Sequence, residues 1–150
     1  MLQNTQDQYF EIKRYAVANP SPGTNFTFTP IVGRRTQILS VEMTLASDAN
    51  AANRLIVLQI SDGTNSYHRC SSVVEQPASK TWIYHFSVGV TDQDHTTNIT
   101  LAQTQLPEEW FLNEGETLQS NVISKQIADQ ISSVGIRVKE WDLLFPEVLR

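Results

Sequence analysis

The stretch LSVEMTL, residues 39–45, decides the fold class. Leu39, Val41, Met43 and Leu45 alternate with Ser40, Glu42 and Thr44, the period of two that a strand shows when one face is buried and the other is wet. Upstream, Phe26 and Phe28 alternate with Thr27 and Thr29 as far as Pro30. Residues 9–18 predict a first strand, with Phe10, Ile12 and Arg14 on one face and Tyr9, Lys13, Tyr15 and Val17 in less regular order. Between these two segments, NPSPGTN (residues 19–25) stacks two prolines and a glycine, a composition that excludes a helix and predicts a loop.

Downstream, ASDANAAN (46–53) reads as a loop or a single helical turn, and RLIVLQI (54–60) as a strand buried on both faces. Asp62-Gly63 is a favoured tight-turn pair, which predicts a hairpin into residues 65–71. After a loop over 72–79, KTWIYHFSVG sets Trp82, Tyr84, Phe86 and Val88 on one face against Ile83, His85 and Ser87. The polar TDQDHTT (91–97) reads as a turn, and 98–104 as a strand with Ile99 and Leu101 opposed to Thr100 and Ala102. WFLNEGETLQS (110–120) reads as a corner: Trp110 and Leu112 pack inward, Gly115 allows the bend, and Glu114 and Glu116 stay wet. Ile131, Val134, Ile136 and Val138 predict a last strand ending near Trp141. Eight to nine short strands without a helix predict an all-β antiparallel β-sandwich, a jelly roll of about eight strands. An immunoglobulin-like sandwich is the alternative, but it is commonly shorter, and its Cys-Trp-Cys spacing is absent.

At 150 residues the chain has the length of one domain. The reading divides it into a polar arm (1–8), a sandwich (9–142) and a short tail (143–150). Residues 1–80 carry seven basic and six acidic side chains, whereas 81–150 carry four basic and ten acidic, and no Lys or Arg falls between Thr81 and Ser124. A groove that neutralises several phosphates is not expected there, so the expectation is no nucleic acid. The single cysteine, Cys70, cannot form an intrachain disulfide. The N-terminus lacks the pattern of a signal peptide, and the longest aliphatic run, Leu55–Leu58, is far too short to span a bilayer, so the expectation is a cytoplasmically made chain with no membrane association.

His85 between Tyr84 and Phe86 reads as a strand residue on the outer or opposite face, since no second ligand sits at metal spacing. Asp92, Asp94 and His95 form a D-x-D-H cluster, yet the glutamate and glycine of a calcium loop are missing. Cys70 lies two residues from His68 on the same predicted strand face but has no third, orienting member, and reads as an inert thiol. Glu108, Glu109, Glu114 and Glu116 lie too close along loops to form two opposed carboxyls. Trp82, Tyr84 and Phe86 read as core, with a sugar-stacking platform as the alternative. The expectation is a chain that is not an enzyme and has no cofactor and no metal.

The block LPEEWFLNEGETLQSNVISKQIADQISSVGIRVKEWDLL, with Trp110, Leu112, Gly115, Asp129, Gln130, Ser132, Glu140 and Trp141 as the matching residues, resembles the C-terminal part of small jelly-roll virion proteins of tailed bacteriophages. The family pattern has a proline beside the glycine; here Asn113 and Glu114 stand there. The resemblance implies a capsid decoration or cement protein on the virion surface, made in the host bacterial cytoplasm. Its implied partners are the major capsid protein and further copies of itself, as a dimer or trimer. The alternative is a tail- or fibre-associated module that binds host glycan or another virion protein. Leu143, Leu144, Phe145, Val148 and Leu149, with Leu2 in the arm, are the candidate partner-binding residues; the tail either caps the domain's own core or docks on a neighbour.

Overall fold

The computed structural model describes residues 10–97 and 100–143. Eleven strands run through them: β1 (Phe10–Val17), β2 (Thr27–Phe28), β3 (Arg34–Ala46), β4 (Leu55–Ser61), β5 (Ser66–Ser71), β6 (Thr81–Ser87), β7 (Gln93–His95), β8 (Leu101–Gln105), β9 (Phe111–Leu112), β10 (Thr117–Ile123) and β11 (Gln130–Asp142). No helix occurs among the described residues. The larger sheet has the order β1-β11-β3-β6-β8-β7, with β9 added beside β3, and the smaller sheet has the order β2-β10-β4-β5.

Without the short excursion β7–β9, the remaining eight strands pair in a nested series: β1 with β11, β2 with β10, β3 with β6, and β4 with β5. That nesting is the strand order of a long hairpin folded over into two sheets, as in a jelly roll. The excursion explains why there are eleven strands and not about eight. It also makes the one departure from antiparallel pairing: β8 runs parallel to β6, because β7 returns along the far side of β8 first. The segment 91–97, read as a turn, contains β7, whose three residues are all exposed and leave no hydrophobic period to detect.

The inner faces of both sheets meet in one core. Val41, Met43 and Leu45 of β3, Tyr84 and Phe86 of β6, Ile56, Leu58 and Ile60 of β4, and Ile131, Val134, Ile136 and Val138 of β11 are all buried there. Trp82, Trp110 and Leu112 join them, so the aromatic row of β6 is core. Two expectations change through β-bulges, each of which inserts one residue and flips the face of those beyond it. In β3 the pairing moves from Arg137↔Ser40 to Val138↔Ile38, so Leu39 is the extra residue and Ile38, fully buried, takes the place expected for Leu39. In β5 the pairing moves from Leu58↔Cys70 to Ile60↔Tyr67, and His68, at φ 50°, faces solvent. His68 therefore does not share a face with Cys70. In β8 the buried set is Ala102, Thr104 and, just beyond the strand, Leu106; Leu101 points outward because it sits opposite Ile83 of β6. A third bulge, between Ser132 and Gly135 of β11, lets Ile131 and Val134 both face the core although they are three residues apart.

The 46–53 loop is organised by Arg54, whose side chain has no solvent exposure. Its Nε donates to Asp129 Oδ2 at 3.0 Å, and its Nη2 donates to Asp129 Oδ1 at 2.9 Å and to Asp48 Oδ1 at 2.6 Å. Its Nη1 donates to the carbonyls of Asn50 and Ala52. All five guanidinium donors are thus satisfied. Asp129 also accepts the amides of Asp48 and Gln126, while its own carbonyl accepts the Gly23 amide at 2.7 Å. Gly23 stands at φ 71°, and a Cβ there would lie 2.7 Å from the Ile127 carbonyl oxygen, which explains the glycine in the 19–25 loop. Beside this cluster Gln76, also fully buried, donates to the carbonyls of Leu45 and Lys80 and accepts the Tyr84 hydroxyl.

Asp129→Asn keeps the volume but leaves the buried guanidinium with Asp48 as its one carboxylate and turns an amide NH2 toward donors that Asp129 accepted, and is expected to cost about 3–5 kcal/mol in urea unfolding. Burial pushes the Asp129 carboxyl upward, but hydrogen bonds from Arg54 and from the Gln126 and Asp48 amides outweigh it and hold the group below its ordinary value. A carboxyl lowered in this way contributes stability that is complete above about pH 4 and is lost as pH falls through its folded pKa. Urea unfolding at stepped pH is expected to show that acid limb in the wild type and a flatter one in Asp129→Asn.

Candidate functional site

Most residues singled out for chemistry have structural partners. His85 lies half-buried on the outer face of β6, opposite Glu42. Asp94 accepts the amide and hydroxyl of Thr96, Asp92 accepts the Gln105 amide at 2.7 Å, and His95 pairs with Gln93. Among the described residues, no three His, Cys, Asp or Glu side chains gather as a metal site would require. Burial, and secondarily the charge of Asp92, push the Cys70 thiol up to about 11, and its Sγ donates to the Gln105 carbonyl. Glu108, Glu109 and Glu114 are exposed on loops. Glu116, expected to be merely wet, instead ties the corner to β5: Oε2 accepts the Asn113 amide at 2.8 Å and Oε1 accepts the Tyr67 hydroxyl at 2.6 Å. Gly115 takes φ 82° at this corner, as the bend requires. A recess of about 150 Å³ separates the corner from Pro30–Arg34, where Ile31 and Val32 are exposed.

The feature that stands apart is the end of the larger sheet where β1 begins and β11 stops. Register pairs Phe10 with Trp141, Ile12 with Lys139 and Arg14 with Arg137, and on the other side of β11 it pairs Trp141 with Arg35. These residues all face outward. The Trp141 ring lies 6.4 Å from that of Phe10 and 6.0 Å from that of Phe111. Lys139 Nζ sits 3.8 Å from the centre of the Phe10 ring and 5.0 Å from that of Trp141, and the Arg35 guanidinium lies 4.0 Å over Phe111. Phe10 and Ile12 remain half exposed. Cations resting on ring faces hold this patch in shape while leaving apolar surface open. Lys139, Arg35, Arg14 and Arg137 thus place four cations on this outer face.

The inner side of the same strand pair is ionic. The Glu140 carboxylate, wholly buried, accepts the Tyr15 hydroxyl at 2.6 Å and Arg34 Nη1 at 3.0 Å, with Lys13 Nζ at 3.6 Å. Arg34 Nε meets Asp142 at 3.0 Å, and its Nη1 lies 3.6 Å from Glu11. The Leu143 amide then donates to the Gly33 carbonyl at 3.1 Å, and the Leu143 side chain is exposed. Of the candidate partner-binding residues, Leu143 is therefore placed just after β11, against the Gly33 backbone; Leu2, Leu144, Phe145, Val148 and Leu149 lie outside the described residues. The cross-strand meeting of Phe10, Phe111 and Trp141 was missed because it joins the first strand to residues 101 and 131 positions further along the chain. Only the Phe10/Ile12/Arg14 period signalled it.

Burial, and then the Glu140 carboxylate, push the Tyr15 phenol up to about 12; the Glu116 hydrogen bond, and then burial, do the same to Tyr67. Phenols raised in the folded state contribute stability that is complete below about pH 10 and is lost as pH rises through the folded value. Ultraviolet titration is expected to show at least two phenols ionising late, with Tyr15→Phe removing one of them. That variant also removes a hydrogen bond to a buried carboxylate, at a cost of about 1.5–3 kcal/mol in urea unfolding.

No family model matches the chain, and no curated protein matches it. Among solved structures, that of PfGH50B aligns over 88% of this chain and 22% of its own at 11% identity and a TM-score of 0.31. That of infectious bursal disease virus Gx strain aligns over 94% of this chain and 42% of its own at 9% identity and a TM-score of 0.29.

Proposed function

We propose that this chain is a non-enzymatic structural protein of a bacteriophage virion, a decoration or cement protein that docks on the outer face of the capsid shell. One observation carries the reading: the described chain enters at Phe10 and leaves at Leu143 from the same end of the larger sheet. Phe10 and Trp141, at those two ends of the described chain, belong to the exposed aromatic and cationic patch. A partner that docks at this end meets Phe10, Phe111 and Trp141, the kind of aromatic and cationic cluster that concentrates binding energy at interfaces. The resemblance of residues 106–144 to virion proteins supports the same reading from a separate direction. A second reading, glycan binding as a tail or fibre module, is favoured by Trp141, which is partly exposed while Trp82 and Trp110 are buried.

The test is co-sedimentation of the full chain with particles of a phage that encodes it. Occupancy of the shell is expected, with a loss of at least about tenfold when Phe10 and Trp141 are both replaced by alanine, a change of about 1.4 kcal/mol or more in binding. Removing residues 1–8 or 143–150 is expected to lower occupancy as well. Absence from particles would overturn the proposal. Absence combined with glycan-array binding that Trp141→Ala abolishes would establish the second reading in its place.

A further inference from the structure

We infer that the free edge of β1 pairs with β1 of a second copy of this chain, antiparallel and centred on Ile12, to form a two-fold dimer. This inference is independent of the virion reading. It starts from the sheet edges. At the far edge of the larger sheet β7 has three residues, and in the smaller sheet β2 has two while β5 is broken by its bulge. Short or bulged edges resist addition of another strand. β1 has neither protection: it runs eight residues, contains no proline, and keeps unbroken register with β11 from Phe10 to Val17. Among the described residues nothing pairs with its other side.

The side chains of β1 identify the occupant, because they complement their own sequence reversed. With the two-fold on Ile12, Phe10 stands opposite the partner's Arg14, Glu11 opposite the partner's Lys13, and Ile12 opposite the partner's Ile12. Residues facing one another across an antiparallel pair lie on the same face with Cα atoms about 4.5–5.5 Å apart. The outer face thus gains an isoleucine pair flanked by two aromatic–guanidinium pairs, and the inner rim gains two ion pairs. Ile12 and Phe10, 50% and 48% exposed, provide the apolar surface, and the Glu11 carboxylate, mostly exposed, is open to a second lysine. Moving the two-fold one residue either way sets Glu11 against Glu11 or Lys13 against Lys13, so like-charge repulsion selects the Ile12 register. The dimer joins two seven-stranded sheets edge to edge and brings both aromatic patches onto one continuous outer face.

The experiment uses the full chain with Cys70→Ser. Sedimentation equilibrium is expected to give twice the 16.9 kDa chain mass, falling to the single-chain mass in Ile12→Lys, which sets two lysines face to face. Circular dichroism and the thermal midpoint of Ile12→Lys are expected to stay at wild-type values under conditions where the wild type is diluted to monomer. Mild oxidation is expected to cross-link Ile12→Cys to itself, whereas Phe10→Cys and Arg14→Cys cross-link only when mixed. A wild type that stays monomeric at high concentration overturns the inference. So does a dimer that survives Ile12→Lys, or one in which Phe10→Cys joins to itself and Ile12→Cys does not.

Discussion

A guanidinium with no access to water sits where four segments meet. Arg54 stands immediately before β4, Asp48 and the carbonyls of Asn50 and Ala52 come from the loop after β3, and Asp129 closes the turn before β11. The fourth segment, the 19–25 loop, is tied in through the Gly23 amide. Such a cluster adds little net stability over an apolar filling, because desolvating the ions costs about as much as their attraction returns. Its contribution is selective. A buried arginine with five directional donors accepts one arrangement of its neighbours, so the loops that carry the chain from one sheet to the other are held in a single relation. The core residues of β3, β4 and β11 then meet in one register.

The fold was legible where one face of a strand is consistently apolar and the other polar. Met43 and Leu45, the aromatic row of β6, the continuous burial of β4 and the hairpin at Asp62-Gly63 follow from periodicity and turn chemistry alone. Periodicity loses track wherever one residue is inserted. Leu39, His68 and Ser133 are such places, and His68 and Ser133 have positive φ that nothing in their side chains announces. β7 was invisible for a different reason: a short exposed edge strand buries nothing, so no hydrophobic period marks it.

The site was less legible than the fold, for physical reasons. Arg54 reads as one more basic residue at the head of an apolar run, and its burial depends on acceptors 75 residues away. The aromatic patch depends on register between the first and last strands, which the composition of either strand leaves undetermined. Conversely, the carboxylates that invite a catalytic reading, Glu116 and Asp94 among them, are engaged in holding their own loops. Where polar residues crowd a turn, backbone amides are their nearest partners.

The pairing of Phe10 with Trp141 also sets how the domain bears force. Tension applied between those two residues peels β1 from β11 starting at that pair, so the rungs of the ladder break one after another, each alone under load. Had the chain entered and left at opposite ends, the same pull would have sheared the rungs together, with far greater resistance. Strain passed through the terminal segments is therefore released by opening one outer strand, while β3, β4 and the Arg54 cluster stay outside the path of the load.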